Sequence, residues 1–173
     1  MAIFIESGMR FELPDDQLFF IEQSNFFKLK VGVATVEFLY FQKNNLLWVE
    51  AKSSFPRAEN KEHFEENITA IADKFIHSFE LYLSHFLSVN KLIPSETPEM
   101  FLNYDFSKKM PLKFVLIINC GKIKKSNIPQ MISTIQNTFL KRFNGHRSIW
   151  NVQFIALDHE SAIEYKLVKE LAV

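Results

Sequence analysis

Glu37, Glu50 and Lys52 are the residues of this chain whose types and spacing point most directly to chemistry. Glu50 and Lys52 stand two positions apart in the apolar run Leu46-Leu47-Trp48-Val49-Glu50-Ala51-Lys52, so in an extended chain both side chains leave the same face. Glu37 lies in the preceding run, residues 30–41, which is rich in β-branched and aromatic side chains. Gln42-Lys43-Asn44-Asn45 between the two runs reads as a turn, which makes the pair a β-hairpin. If all four of those residues form the loop, Phe41 faces Leu46 and Glu37 faces Glu50. If only Asn44-Asn45 form it, Glu37 faces Lys52 instead. Either register sets one acid from each strand beside the lysine, with directly opposed Cβ atoms about 4.5–5.5 Å apart.

Two carboxylates so close in so apolar a strand repel one another and lose hydration. A divalent cation compensates for both effects. Hard oxygen donors at this spacing suit Mg²⁺, which keeps several waters that a phosphate can replace. Lys52 would face such an ion, where its ammonium could polarise an attacking water or steady negative charge on a phosphate. The plainer alternative is a cross-strand ion pair of Lys52 with either glutamate, worth about 0.2–1 kcal/mol. Glu-x-Lys alone is a common pattern. Its placement in an apolar strand, opposite a second acid, favours the catalytic reading.

Other chemistries find no support. His63, His77 and His85 fall along one helical segment without a His-Glu-x-x-His motif or a Cys/His cluster, so no zinc site is expected. There is no glycine-rich phosphate loop and no Gly-x-Ser-x-Gly elbow, which excludes the usual nucleotide and serine hydrolases. Cys120 is the sole cysteine and follows an apolar run, which suggests an inert, half-buried thiol and a reducing compartment. No basic leader with a long apolar stretch opens the chain, and nowhere do about 18 apolar residues run unbroken. The expectation is a cytoplasmic protein without a membrane span.

The elements that must position the three residues follow from periodicity. Hydrophobic content of 47%, with 19 phenylalanines and only ten Gly and Pro together, supplies material for one packed domain over residues 1–173. Residues 1–13 read as a short strand ending at Pro14-Asp15-Asp16, and residues 17–27 as a short helix or an extended segment. The hairpin follows, its second strand apolar on both faces and so interior to a sheet. Phe64, Ile68, Ile71, Phe75, Phe79, Leu83 and Phe86 recur at three- and four-residue spacing, which predicts a long helix over 60–87 with this stripe as core. A strand over 113–119, a basic turn and a helix over 128–143 come next, the helix capped by Ser126 and stopped by Asn144-Gly145. A last strand over 150–157 and a helix over 161–171 complete an α/β domain, a central mixed β-sheet flanked by helices on both faces.

The net charge is zero, but it is unevenly distributed. Residues 1–105 carry 16 acidic and 9 basic side chains, residues 106–157 carry 9 basic and no acidic ones, and the remainder is net −2. Such asymmetry hints at a nucleic-acid surface. Lys122, Lys124 and Lys125 precede a helix whose first amide groups could hold a phosphate, and Lys141, Arg142 and Arg147 follow it. Both groups are equally compatible with solvated surface.

The runs Gly32-Val33-Ala34-Thr35-Val36-Glu37-Phe38-Leu39 and Leu47-Trp48-Val49-Glu50-Ala51-Lys52-Ser53-Ser54 together resemble the core of the PD-(D/E)XK, or restriction-endonuclease-like, nuclease superfamily. The family order of helix, three-strand meander, helix and strand is similar to the one read above and would cover most of the chain. The resemblance implies a Mg²⁺- or Mn²⁺-dependent nuclease cutting phosphodiester bonds of DNA or RNA. It makes Glu37 the first acid, Glu50 the second and Lys52 the catalytic lysine, with Glu22 the candidate for a further metal ligand from the first helix. The family's first acid is usually Asp, often after Pro, where this chain has Val36-Glu37. That departure, with the zero net charge, motivates the alternative of a non-catalytic module on the same fold that binds nucleic acid or protein. A third reading is an oligomer built through exposed Phe19, Phe20, Phe26, Phe27 or Phe38.

Overall fold

Residues 45–52 carry large apolar side chains on both faces, and a strand of that kind is stable only with cover on both sides. In the computed structural model, which describes residues 1–25, 32–43, 45–108 and 111–170, this strand lies in the middle of a five-stranded mixed sheet. The chain opens with a hairpin, β1 (Ala2–Glu6) and β2 (Met9–Leu13), where the sequence suggested one strand. Its two-residue turn, Ser7-Gly8, has positive φ at both positions, as such a turn requires. A 3-10 turn (Asp15–Gln17) leads to β3 (Leu18–Phe19) and then to a turn, so within the described part of 17–27 the extended alternative holds only for Leu18 and Phe19. Residues 26 and 27 lie outside the described residues.

Next come β4 (Phe38–Gln42) and β5 (Asn45–Lys52), then the long helix α1 (Lys61–Phe86). A short helix α2 (Glu99–Leu102) precedes β6 (Leu112–Ile118). Helices α3 (Ile128–Arg142) and α4 (Asn144–Trp150), strand β7 (Val152–Asp158) and helix α5 (His159–Glu164) finish the order. Ser126 does not cap α3: a 3-10 turn over Lys125–Asn127 runs straight into the helix, and the Ser126 hydroxyl bonds to Asn127. Asn144-Gly145 does not end the helical stretch either; after a break at Phe143 it starts α4, which Asn151 stops in the left-handed region.

The sheet order is β3-β4-β5-β6-β7, with β3, β4 and β5 antiparallel and β5, β6 and β7 parallel. The parallel steps β5 to β6 and β6 to β7 go in the same direction across the sheet. Crossovers of one fixed hand must then put α1 and α3 on the same face. Leu46 and Trp48 of β5, with Phe114 and Leu116 of β6, pack beneath these helices. The opposite face, Leu47, Val49, Ala51, Val115 and Ile117, is covered by the β1–β2 hairpin and α5. The α/β mixed sheet is as expected, but the second face is closed mainly by a hairpin in place of long helices.

The phenylalanine stripe of α1 is core. Phe75 stacks on Phe114 at 5.0 Å between ring centroids, and Phe79 meets Trp48 edge-on at 5.5 Å. Aromatic pairs of this geometry add about 0.5–1.5 kcal/mol each beyond area burial. They set the spacing of α1 over β5 and β6. Among the described residues no helix is long and apolar enough to cross a membrane.

Candidate functional site

The hairpin register is the one in which Phe41 faces Leu46, with pairing from Phe38↔Val49 to Gln42↔Asn45. Extended by one step, it sets Glu37, the residue just before β4, opposite Glu50. Glu50 shares the face of Trp48 and points under α1, where its side chain is 0% exposed. An isolated carboxylate at such a place would carry a large desolvation penalty, so partners are obligatory.

Two lysines provide them. The Lys52 ammonium lies 2.8 Å from Glu50 Oε1. The Lys74 ammonium, from the middle of α1, donates to the same oxygen at 2.8 Å and stands 3.6 Å from Glu37 Oε1. Lys52 is 31% exposed and Lys74 only 19%, so the first faces the solvent side and the second closes the inner side. Glu50 Oε2 is buried and has no hydrogen-bond partner among the described residues. Leaving such an oxygen unsatisfied costs on the order of 1–3 kcal/mol.

Glu37 is held in place from α1. The Val36 N–H donates to Ser78 Oγ at 2.9 Å, and the Ser78 hydroxyl donates to the Lys74 carbonyl at 2.7 Å. One helical turn thus anchors both the segment that bears Glu37 and the lysine that meets it. Glu22 sits in the turn after β3, not on a helix, and shares a side-chain hydrogen bond with Glu37. The Glu37 carboxyl is pushed up to about 8, first by burial, then by the hydrogen bond with Glu22 and the charge of Glu50, against the opposing pull of Lys74. Burial alone would draw the Lys74 ammonium down. The Glu50 carboxylate, by charge and hydrogen bond, reverses this and holds Lys74 above its ordinary value.

The donor chemistry suits a hard cation: carboxylates from two neighbouring segments and one buried oxygen without a hydrogen-bond partner among the described residues. No three His, Cys, Asp or Glu residues among those described already stand as a ligand cage, and an ammonium occupies the space beside both acids. Of the residues singled out by sequence, Glu37, Glu50 and Lys52 converge, and Glu22 joins them through Glu37. Lys74 and Ser78 were not singled out. The available signal was a polar pair four apart on α1, beside Ile71 and Phe75, where the helix meets the sheet.

The basic residues separate into two groups. The Asn119 N–H donates to the Lys52 carbonyl at 2.8 Å, so the turn carrying Lys122, Lys124 and Lys125 leaves the sheet at the same end as Lys52. Lys122 and Lys124 are exposed, and Lys125 pairs with Glu160 at 2.9 Å. Lys141 and Arg142 close the last turn of α3, about 20 Å along its axis from the first group, and Arg147 lies on α4. Arg142 donates to Thr69 on α1 at 3.1 Å. Cys120 is buried, and that burial, with the charge of Asp158, pushes its thiol up to about 11, which leaves it inert. Phe19 and Phe38 are core residues and Phe20 is half-buried against the same core, so they offer no oligomer surface; Phe26 and Phe27 lie outside the described residues. No family model, no curated protein and no solved structure matches the chain.

Proposed function

We propose that the protein is a metal-dependent nuclease of the PD-(D/E)XK type, hydrolysing phosphodiester bonds of DNA or RNA. The observation that carries this reading is the buried Glu50 carboxylate, with Oε2 unpartnered among the described residues, between Lys52 and the Glu37 segment. The order of elements supports the restriction-endonuclease-like assignment: β3, β4 and β5 form an antiparallel meander, α1 follows, and β6 returns parallel to β5. A bound Mg²⁺ or Mn²⁺ would supply Lewis-acid polarisation of a phosphate oxygen and of a coordinated water. Glu50 Oε2 and the Glu37 carboxylate would be the donors for it, with Glu22 beside Glu37. Lys52 reaches from Glu50 toward solvent, where its ammonium can hold a phosphate oxygen as negative charge builds. Lys122 and Lys124, exposed at the same sheet end as Lys52, would be the contacts to the nucleic-acid backbone in this reading.

The test is cleavage of labelled single- and double-stranded DNA and RNA with Mn²⁺ or Mg²⁺, with a chelator control, by wild type, Glu50→Gln and Lys52→Met. The expected result is ion-dependent cleavage that falls by at least about 100-fold in either variant. Cleavage that survives Glu50→Gln, or none by wild type on any of the four substrates, would contradict it. One observation favours a second reading, a non-catalytic nucleic-acid-binding module: the Lys74 ammonium already neutralises Glu50 from inside. That version gives salt-sensitive binding and no cleavage.

A further inference from the structure

Lys52 alone would give the buried Glu50 carboxylate a counter-charge, yet a second lysine reaches the same oxygen from another element. Lys74 is also within 3.6 Å of Glu37 Oε1, so its ammonium bridges the two acids that the metal reading assigns as donors. The groups facing it are Glu50 and Lys52 on β5 and Glu37 before β4, with Glu22 reaching Glu37 from the turn after β3. On its own helix, Ser78 binds the Lys74 backbone carbonyl and not the side chain. The helix position is therefore fixed, while the four-carbon stem has rotatable bonds through which the ammonium can move without the backbone.

We infer that Lys74 is the resident cation of this site, a built-in competitor that holds the Glu37–Glu50 carboxylates together when the site is empty and must leave when a divalent ion loads. This rests on the metal reading above. A divalent ion would compete with Lys74 more than with Lys52, because Lys74 meets both Glu50 and Glu37 whereas Lys52 meets only Glu50, and like charges a few ångströms apart repel strongly in a half-buried setting. Lysine is suited to the role as a compact charge on a flexible stem, able to withdraw without moving α1. Lys74 thus sets the affinity of the site for divalent ions and keeps the protein folded without them.

The experiment uses the full chain as wild type, Lys74→Gln and Glu50→Gln, with Mn²⁺ as the probe, followed by calorimetry and by melting. Gln retains an N–H donor for Glu50 Oε1 and removes the charge. Lys74→Gln is expected to bind Mn²⁺ at least about tenfold more tightly than wild type, from the loss of one competing charge. Its melting temperature should start lower and rise further with Mn²⁺, while Glu50→Gln shows neither response. Should Lys74→Gln prove unfolded alone, Mn²⁺ must restore a cooperative transition; failure to restore it counts against the inference. Binding seen only in Lys74→Gln supports it. Glu50-dependent binding that is equal or weaker in Lys74→Gln overturns the role of Lys74 and leaves the metal site standing. Absence of any Glu50-dependent heat in both proteins overturns the metal site as well.

Discussion

At the scale of single residues, the centre is a set of charges that the fold forces into one another's company. Glu37 is the group whose protonation should register in stability. Burial holds its carboxyl up at about 8, so the folded state binds this proton more tightly than the unfolded chain does. Its contribution is therefore complete below about 4.5, and is lost as pH rises through about 8. Urea denaturation of wild type and Glu37→Gln across that window should show a decline with pH in wild type and a shallower one in the variant. Parallel profiles would mean that Glu37 titrates as an ordinary surface acid. Glu37, Glu50 and Lys52 were legible in the sequence because strand alternation and hairpin pairing are short-range rules. Lys74 was not, since its partner lies 24 positions away and helix periodicity ranks a lysine as solvent-facing. Only the packing of α1 on β5 turns it inward.

At the scale of elements, α1 and β5 carry the site, and their spacing is set by aromatic contacts. Phe114 touches Phe75, Phe79, Trp48 and Phe143. Phe114→Ala should destabilise the protein by about 3–5 kcal/mol in urea melts. A loss below about 1 kcal/mol would show that this cluster collapses onto the gap. Ser78→Ala leaves the buried Val36 N–H without its acceptor and should cost about 1–3 kcal/mol. The same variant frees the segment that bears Glu37. α1 was readable to within a residue at each end, because seven apolar residues repeat at helical spacing over its length. Of the strand expected over 30–41, residues 30 and 31 lie outside the described residues, and the described part is strand only from Phe38. Gly32 takes a positive φ and the Val36 N–H turns to Ser78 on the helix, neither of which a β-rich composition reveals. The opening hairpin was missed because Ser7-Gly8 interrupts the run by only two residues.

At the scale of the whole molecule, the charge asymmetry of the chain becomes geometry. Lys122 and Lys124 share the sheet end of Lys52, while Lys141 and Arg147 stand about 20 Å away along α3. A nucleic acid engaged at the acid cluster should therefore depend on the first pair more than the second. In binding measured against salt, replacing Lys122 and Lys124 with Gln should lower the slope by about 1–2, one unit per lost phosphate contact. The Lys141 and Arg147 replacements should change it less, and an equal or larger change would move the interface to the far end. The most direct test of the central claim is a crystal grown with Mn²⁺ and measured for anomalous scattering. The expected result is one peak about 2.2 Å from Glu50 Oε2, shared with Glu37, and the Lys74 ammonium displaced. A map with no peak there, and both lysines still on Glu50 Oε1 at a saturating ion concentration, would contradict it.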